Sequence, residues 1–174
     1  MMSEKVHVFI DNSNLWIEGK KISGRRSRPP VPSNYRYRME YGRLLQHVQE
    51  NRDLAAVPKL YGSEAPPNDS VWNMIRSKGF NVTVFKRNIY NKEKGVDMRM
   101  GLDISRLVLK EKPPSRVIIV TGDADFVQVV DEAHAEGWKV EVWYWSNAAG
   151  DLKKAVDRFE KLDGVVNQIG FEEM

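Results

Sequence analysis

Short runs of apolar, mostly β-branched residues alternate with amphipathic stretches about five times along this chain, and no other feature constrains the fold as much. KVHVFID (5–11), LAAVPKLYG (54–62), FNVTVF (80–85), RVIIVTG (116–122) and KVEVWYW (139–145) read as strands. The run at 116–122 is almost uninterrupted in apolar content, as expected of a central parallel strand covered on both faces. Between the strands, helical spacing predicts helices over 37–51 (through Met39, Leu44, Leu45 and Val48), from Asn68 or Asp69 to Ser77, over 95–111, over 126–137 and over about 150–158. Gly79 and Gly137 end two of them, and Pro113 and Pro114 stop a third. Alternation of this kind implies an α/β domain with three layers, a parallel sheet of about five strands and right-handed crossovers. Pro58 has to sit at a sheet edge or in a bulge, because it has no N–H for a ladder. Residues 19–36, rich in Gly, Ser, Pro and Arg, read as a loop or flap, and the tail after 158 shows no definite pattern.

At 174 residues the chain suits one domain spanning 1–174, with no internal repeat and no second unit. It contains no cysteine, which removes disulfides, thiolate metal sites, iron–sulfur clusters and thiol nucleophiles together. No apolar run approaches ~18 residues, and the apolar start is cut at Asp11, so neither a membrane span nor a signal peptide is expected. The expectation is an intracellular protein, with cytoplasm and nucleus undistinguished.

Two strand ends carry three acids. Asp11 closes the first strand, and Asp123 and Asp125 follow the strand at 116–122. Sites in open parallel sheets form beyond the carboxyl ends of strands, so acids more than one hundred residues apart in sequence can meet in one crevice. Gathered carboxylates repel and raise one another's proton affinity unless a cation compensates, and an all-oxygen set suits Mg²⁺ or Mn²⁺. Asp97 opens a helix and can project toward the same crevice. Asp103, six residues on, advances about 600° and does not share its face. Helix capping accounts for Asp123, Asp125 or Asp97 taken singly, whereas Asp11 lies between a buried strand and the polar turn NSN. Asn14 is a candidate to orient Asp11 or a bound water, and Thr121 to present a hydroxyl.

The net charge of +3 is unevenly spread. Seven cations (Lys20, Lys21, Arg25, Arg26, Arg28, Arg36 and Arg38) fall between 20 and 38 with no acid among them, and Lys86, Arg87, Lys92 and Lys94 form a second basic stretch. Long flexible cations of this kind neutralise a phosphate backbone without reading its sequence, although a solvated loop needs nothing more.

FIDNSNLWIEGKK (9–21), KGVDMRMGLDI (94–104) and VIIVTGDADFVQVVDEAHAEGWKVEVW (117–143) resemble the three diagnostic blocks of the NYN domain family, within the PIN-like metal-dependent nucleases. The similarity runs from residue 6 to about 157. It implies a Rossmann-like α/β/α sandwich with an acidic pocket at the carboxyl edge of its sheet. Its acids fall on Asp11, Asp97, Asp123 and Asp125, its asparagine on Asn14, and a further acid on Asp103. The implied substrate is single-stranded or loosely structured RNA. The basic, Pro/Arg-rich insertion at about 20–38 departs from the pattern, and is expected either to tune substrate preference or to cover the pocket.

A metal-dependent ribonuclease, cutting phosphodiester bonds by hydrolysis as an endonuclease, fits this inventory without a serine, cysteine or histidine nucleophile. His7 reads as structural, and His47 and His134 as helix-surface residues, so the three offer no ligand spacing. Lys94 or Arg99 could contact a phosphate. Two alternatives stay open: a non-catalytic RNA-binding module, and a phosphohydrolase for small substrates. Neither G-x-G-x-x-G nor G-x-x-x-x-G-K-[ST] occurs, so no nucleotide cofactor is expected. A homo-oligomer is left open.

Overall fold

Val6, Val8 and Ile10 point to one side of the first strand and Phe9 to the other, and both sides are buried. That two-sided burial sets the architecture of the computed structural model, which describes residues 4–63, 70–85 and 92–174. The strands are β1 (Lys5–Asp11), β2 (Tyr37–Met39), β3 (Asp53–Leu54), β4 (Lys59–Ser63), β5 (Asn81–Phe85), β6 (Arg116–Val120), β7 (Lys139–Tyr144), β8 (Arg158–Lys161) and β9 (Gly170–Glu172). The helices are α1 (Leu15–Arg26), α2 (Tyr41–Gln49), α3 (Ser70–Ser77), α4 (Lys92–Lys110), α5 (Val127–Ala135) and α6 (Gly150–Ala155).

The main sheet runs β5-β4-β1-β6-β7-β8 with every pairing parallel, and β3 adds to the amino half of β1. Helices cover both faces over two apolar cores, as the three-layer expectation requires. One core packs α1, α2 and α3 against the sheet, through Leu15, Leu44 and Ile75 among others. The other packs α4, α5 and α6, through Met100, Val130 and Leu152. None of the described helices is long and apolar enough to cross a membrane.

Four local readings differ. Residues 15–26 are helical, although 19–36 read as a loop. Gly19 and Gly24 are close approaches rather than breakers: a Cβ at Gly19 would meet the Tyr37 and Trp145 rings at 3.0 and 3.1 Å, and one at Gly24 the Val31 carbonyl at 2.6 Å. Residues 27–36 fold back onto the helix, with Val31 N–H donating to Gly24 and Asn34 N–H to Lys20. The stretch 37–51 divides into β2, which pairs antiparallel with β9, and α2, whose first turn Glu40 caps by accepting from the Gly42 and Arg43 N–H groups. The strand expected over 54–62 is interrupted before Pro58, with β3 and β4 covering successive halves of β1. The tail contributes β8 to the main sheet, which with β3 has seven strands where about five were expected, and β9 to a separate two-stranded sheet with β2.

Candidate metal centre

The chain leaves β1 toward β4 and β5 on one side and returns to β6 and β7 on the other, so the order reverses between β1 and β6. Crevices in parallel sheets open at such a switch point, beyond the carboxyl ends. Ile10 pairs with Val120, which brings Asp11 beside Thr121. The backbone register therefore joins two motifs 110 residues apart.

Asp11 is buried, and both its oxygens are held. Ser13 N–H donates to Oδ1 at 3.0 Å and the Thr121 hydroxyl to Oδ2 at 3.1 Å. Burial raises its proton affinity first, and the Asp123 charge adds to this. The Ser13 and Thr121 contacts act in opposition. Beside it, Asn12 accepts from the buried Tyr41 hydroxyl at 2.8 Å and donates its N–H to Tyr61, which pins the turn.

Asp123 caps a 3-10 turn, Ala124–Phe126, that leads into α5; its Oδ1 accepts from Asp125 N–H at 2.9 Å. Gly122 is required there, since a Cβ would lie 2.4 Å from the Tyr144 ring. Asp97 arrives from the second turn of α4. One carboxylate oxygen each from Asp97, Asp123 and Asp125 lies within 4.8 Å of the others. The Asp97 carboxyl is pushed up to about 8, by burial first, then by sharing a proton with Asp123 and by the charges of Asp11, Asp123 and Asp125. All the donors are hard carboxylate oxygens, the set that suits Mg²⁺ or Mn²⁺.

Asp11, Asn14, Asp97, Thr121 and Asp123 line one cleft of about 220 Å³, and Asp125 stands exposed at its edge. Asp103 does not line it. It accepts from the Tyr61 hydroxyl at 2.6 Å and pairs with Arg99 at 3.3 Å, the outcome of its displacement around α4 from Asp97. The cleft also contains residues that sequence reasoning passed over. Glu18 follows Asn14 by one helical turn, a spacing legible only once α1 is known to begin at Leu15. Its carboxylate accepts from Asn147 at 3.0 Å and from Lys21 at 3.2 Å. Asn147 lies in the SNA turn beyond β7, the next strand end after β6. Tyr144 is buried yet also lines the cleft. Burial and the carboxylates of Asp11, Glu18 and Asp123 all push its hydroxyl's proton affinity up.

Of the expected phosphate contacts, Arg25, Arg26, Arg28 and Arg36 are exposed. Lys20 lies 3.8 Å over the Trp16 ring, Lys21 pairs with Glu18, and Arg38 pairs with Glu173 at 2.6 Å. The tail thus draws Arg38 toward β9 rather than leaving it on a free flap. Lys86 and Arg87 lie outside the described residues, as do the side chains of Lys92 and Lys94.

Comparison with solved structures finds the crystal structure of a protein of unknown function from Vibrio parahaemolyticus, 18% identical, with a TM-score of 0.66 over 92% of this chain and 93% of that one. The likeness shows the fold. No curated protein matches the chain. The family model for the NYN domain matches residues 5–163, almost the whole length.

Proposed function

The chain belongs to the NYN domain family, whose members are generally ribonucleases, and on that premise we propose that it is a divalent-metal-dependent ribonuclease. It hydrolyses phosphodiester bonds within single-stranded or loosely structured RNA. The observation that carries this reading is the approach of Asp97, Asp123 and Asp125 within 4.8 Å, beside the buried Asp11, at the sheet's switch point. Carboxylates so placed hold a proton near neutral pH unless a cation replaces it, and the raised affinity of Asp97 is that situation.

A bound divalent ion supplies an acidified water and neutralises charge on the phosphate. Asp97, Asp123 and Asp125 would hold it, with Asp11 facing the same space from β1. The chain's other groups keep these acids in place. Thr121 and the Ser13 N–H orient Asp11, and the Asp125 N–H orients Asp123. Asn14 adds an uncharged donor and acceptor at the rim. Arg25, Arg26, Arg28 and Arg36 offer cations to the RNA backbone from the end of α1 and the segment after it.

The test is cleavage of end-labelled single-stranded RNA by wild type and Asp123→Asn, each with Mg²⁺, with Mn²⁺ and with EDTA. Internal cuts that need the metal and vanish in the variant are expected. RNA bound but left intact under every metal condition would instead make the chain a binding module.

A further inference from the structure

The cleft has a second wall, which the acids do not use. Tyr144 ends β7, is 7% exposed, and packs its ring against Gly122. Every other buried tyrosine of the described residues has its hydroxyl bonded: Tyr37 to the Val166 carbonyl, Tyr41 to Asn12 and Tyr61 to Asp103. The Tyr144 hydroxyl has no such partner among the described residues, although the side chain lines the cleft. The hydroxyl therefore faces the cleft with its donor and acceptor capacity unused by the described residues, open to a group that enters there.

Its neighbours define what that group is. Asn147 donates through Nδ2 to Glu18, which leaves its Oδ1 as an acceptor, and Lys21 offsets part of the Glu18 charge. A phosphate would meet Glu18 as well as the acids on the other wall. A neutral hydroxyl is a better match, since it can accept from Tyr144 and donate to Asn147 or Glu18. We infer that Tyr144, with Asn147 and Glu18, forms a subsite for the ribose 2′-hydroxyl of the nucleotide seated over the acids, and so selects RNA over DNA. The 2′-hydroxyl is both donor and acceptor, and it is the one group that separates the two polymers at a given sugar. This subsite rests on the ribonuclease reading and extends it to named side chains.

Tyr144→Phe keeps the ring against Gly122 and removes only the oxygen. Wild type and variant are compared, with Mn²⁺, on one RNA oligomer and on versions carrying a single deoxynucleotide moved through the cleavage site. Wild type should lose about fivefold to tenfold in kcat/KM at one deoxy position, the scale of one good hydrogen bond. Tyr144→Phe should lose a similar factor on all-RNA and nothing more at that position, because the two deletions remove the same hydrogen bond. Asn147→Ala should shrink the deoxy penalty as well. A deoxy penalty of full size in Tyr144→Phe would overturn the subsite while leaving the nuclease reading intact. Should wild type cut neither polymer, the nuclease reading fails, and the same cycle is read as affinity by fluorescence anisotropy. Coupling between the Tyr144 oxygen and the 2′-oxygen then still supports the sugar subsite, and its absence overturns it.

Discussion

At Asp97, burial, a proton shared with Asp123 and the charges of Asp11, Asp123 and Asp125 all act in one direction. The folded carboxyl is raised to about 8 from an ordinary 3.8, so the folded state binds this proton more tightly than the unfolded one. The stability it contributes is full below the unfolded value and is lost as pH rises through about 8. In EDTA, the melting temperature of wild type should therefore fall between about pH 5 and about pH 8, and that of Asp97→Asn should fall less. Mn²⁺ should restore wild type most at the high end of this range, where the proton is leaving and no longer competes with the ion. Thermal melts across this range, with and without Mn²⁺, check both statements; parallel curves for the two proteins would remove Asp97 from the shared-proton site.

Helix α1 joins the cleft to the basic segment. Asn14, its N-cap residue, and Glu18 in its first turn reach the cleft, and its last turn carries Arg25 and Arg26 into solvent. Gly24 lets residues 27–36 fold back against it, with no room for a side chain before the Val31 carbonyl. Gly24→Ala should destabilise the protein by about 1–3 kcal/mol through that overpacking. At this chain length that lowers the melting point by roughly 2–4 °C per kcal/mol. The cations ask for a different measurement. Arg25, Arg26 and Arg28 changed together to alanine should weaken RNA binding with little change in base preference. The slope of log affinity against log salt should shrink by about 0.7 for each phosphate of single-stranded RNA that the variant no longer neutralises. Identical slope and intercept would move the backbone-binding cations elsewhere on the surface.

Across the whole molecule, the two ends of the sheet handle charge in opposite ways. The carboxyl end gathers aspartates, and the cleft they line holds no lysine or arginine among the described residues. Toward the amino end, the buried Glu141 is surrounded by partners: Arg52 at 2.5 Å, Arg116 at 3.0 Å and the Trp143 ring N–H at 3.0 Å. Its proton affinity is lowered: burial opposes ionisation, and the Arg52 and Trp143 hydrogen bonds with the Arg52 and Arg116 charges outweigh it. This pairing joins β6, β7 and the turn following α2. Removing one member of a buried pair leaves the others uncompensated, so Glu141→Ala should cost about 3–5 kcal/mol. Urea denaturation reads that loss, and calorimetry should find Mn²⁺ binding to the folded variant unchanged. Weakened metal binding at equal foldedness would mean that the two ends are coupled.

The sequence by itself determined the layer order and brought Asp11, Thr121 and Asp123 to one sheet edge. Both follow from local periodicity: a strand buried on both faces must be apolar throughout, and its first polar residues mark its carboxyl end. The ends of α1, the division of 37–51 into β2 and α2, and the strands β8 and β9 were not legible. They depend on partners far along the chain, such as Gly170 opposite Met39 and Trp143 beside Glu160. The same holds within the site. Spacing separated Asp97 from Asp103, but only the packed structure turned Asp103 onto Tyr61 and set Glu18 against Asn147. Side-chain direction at a strand end or a helix's first turn is set by what packs behind it, and Tyr144 reaches the cleft because Gly122 leaves room for its ring.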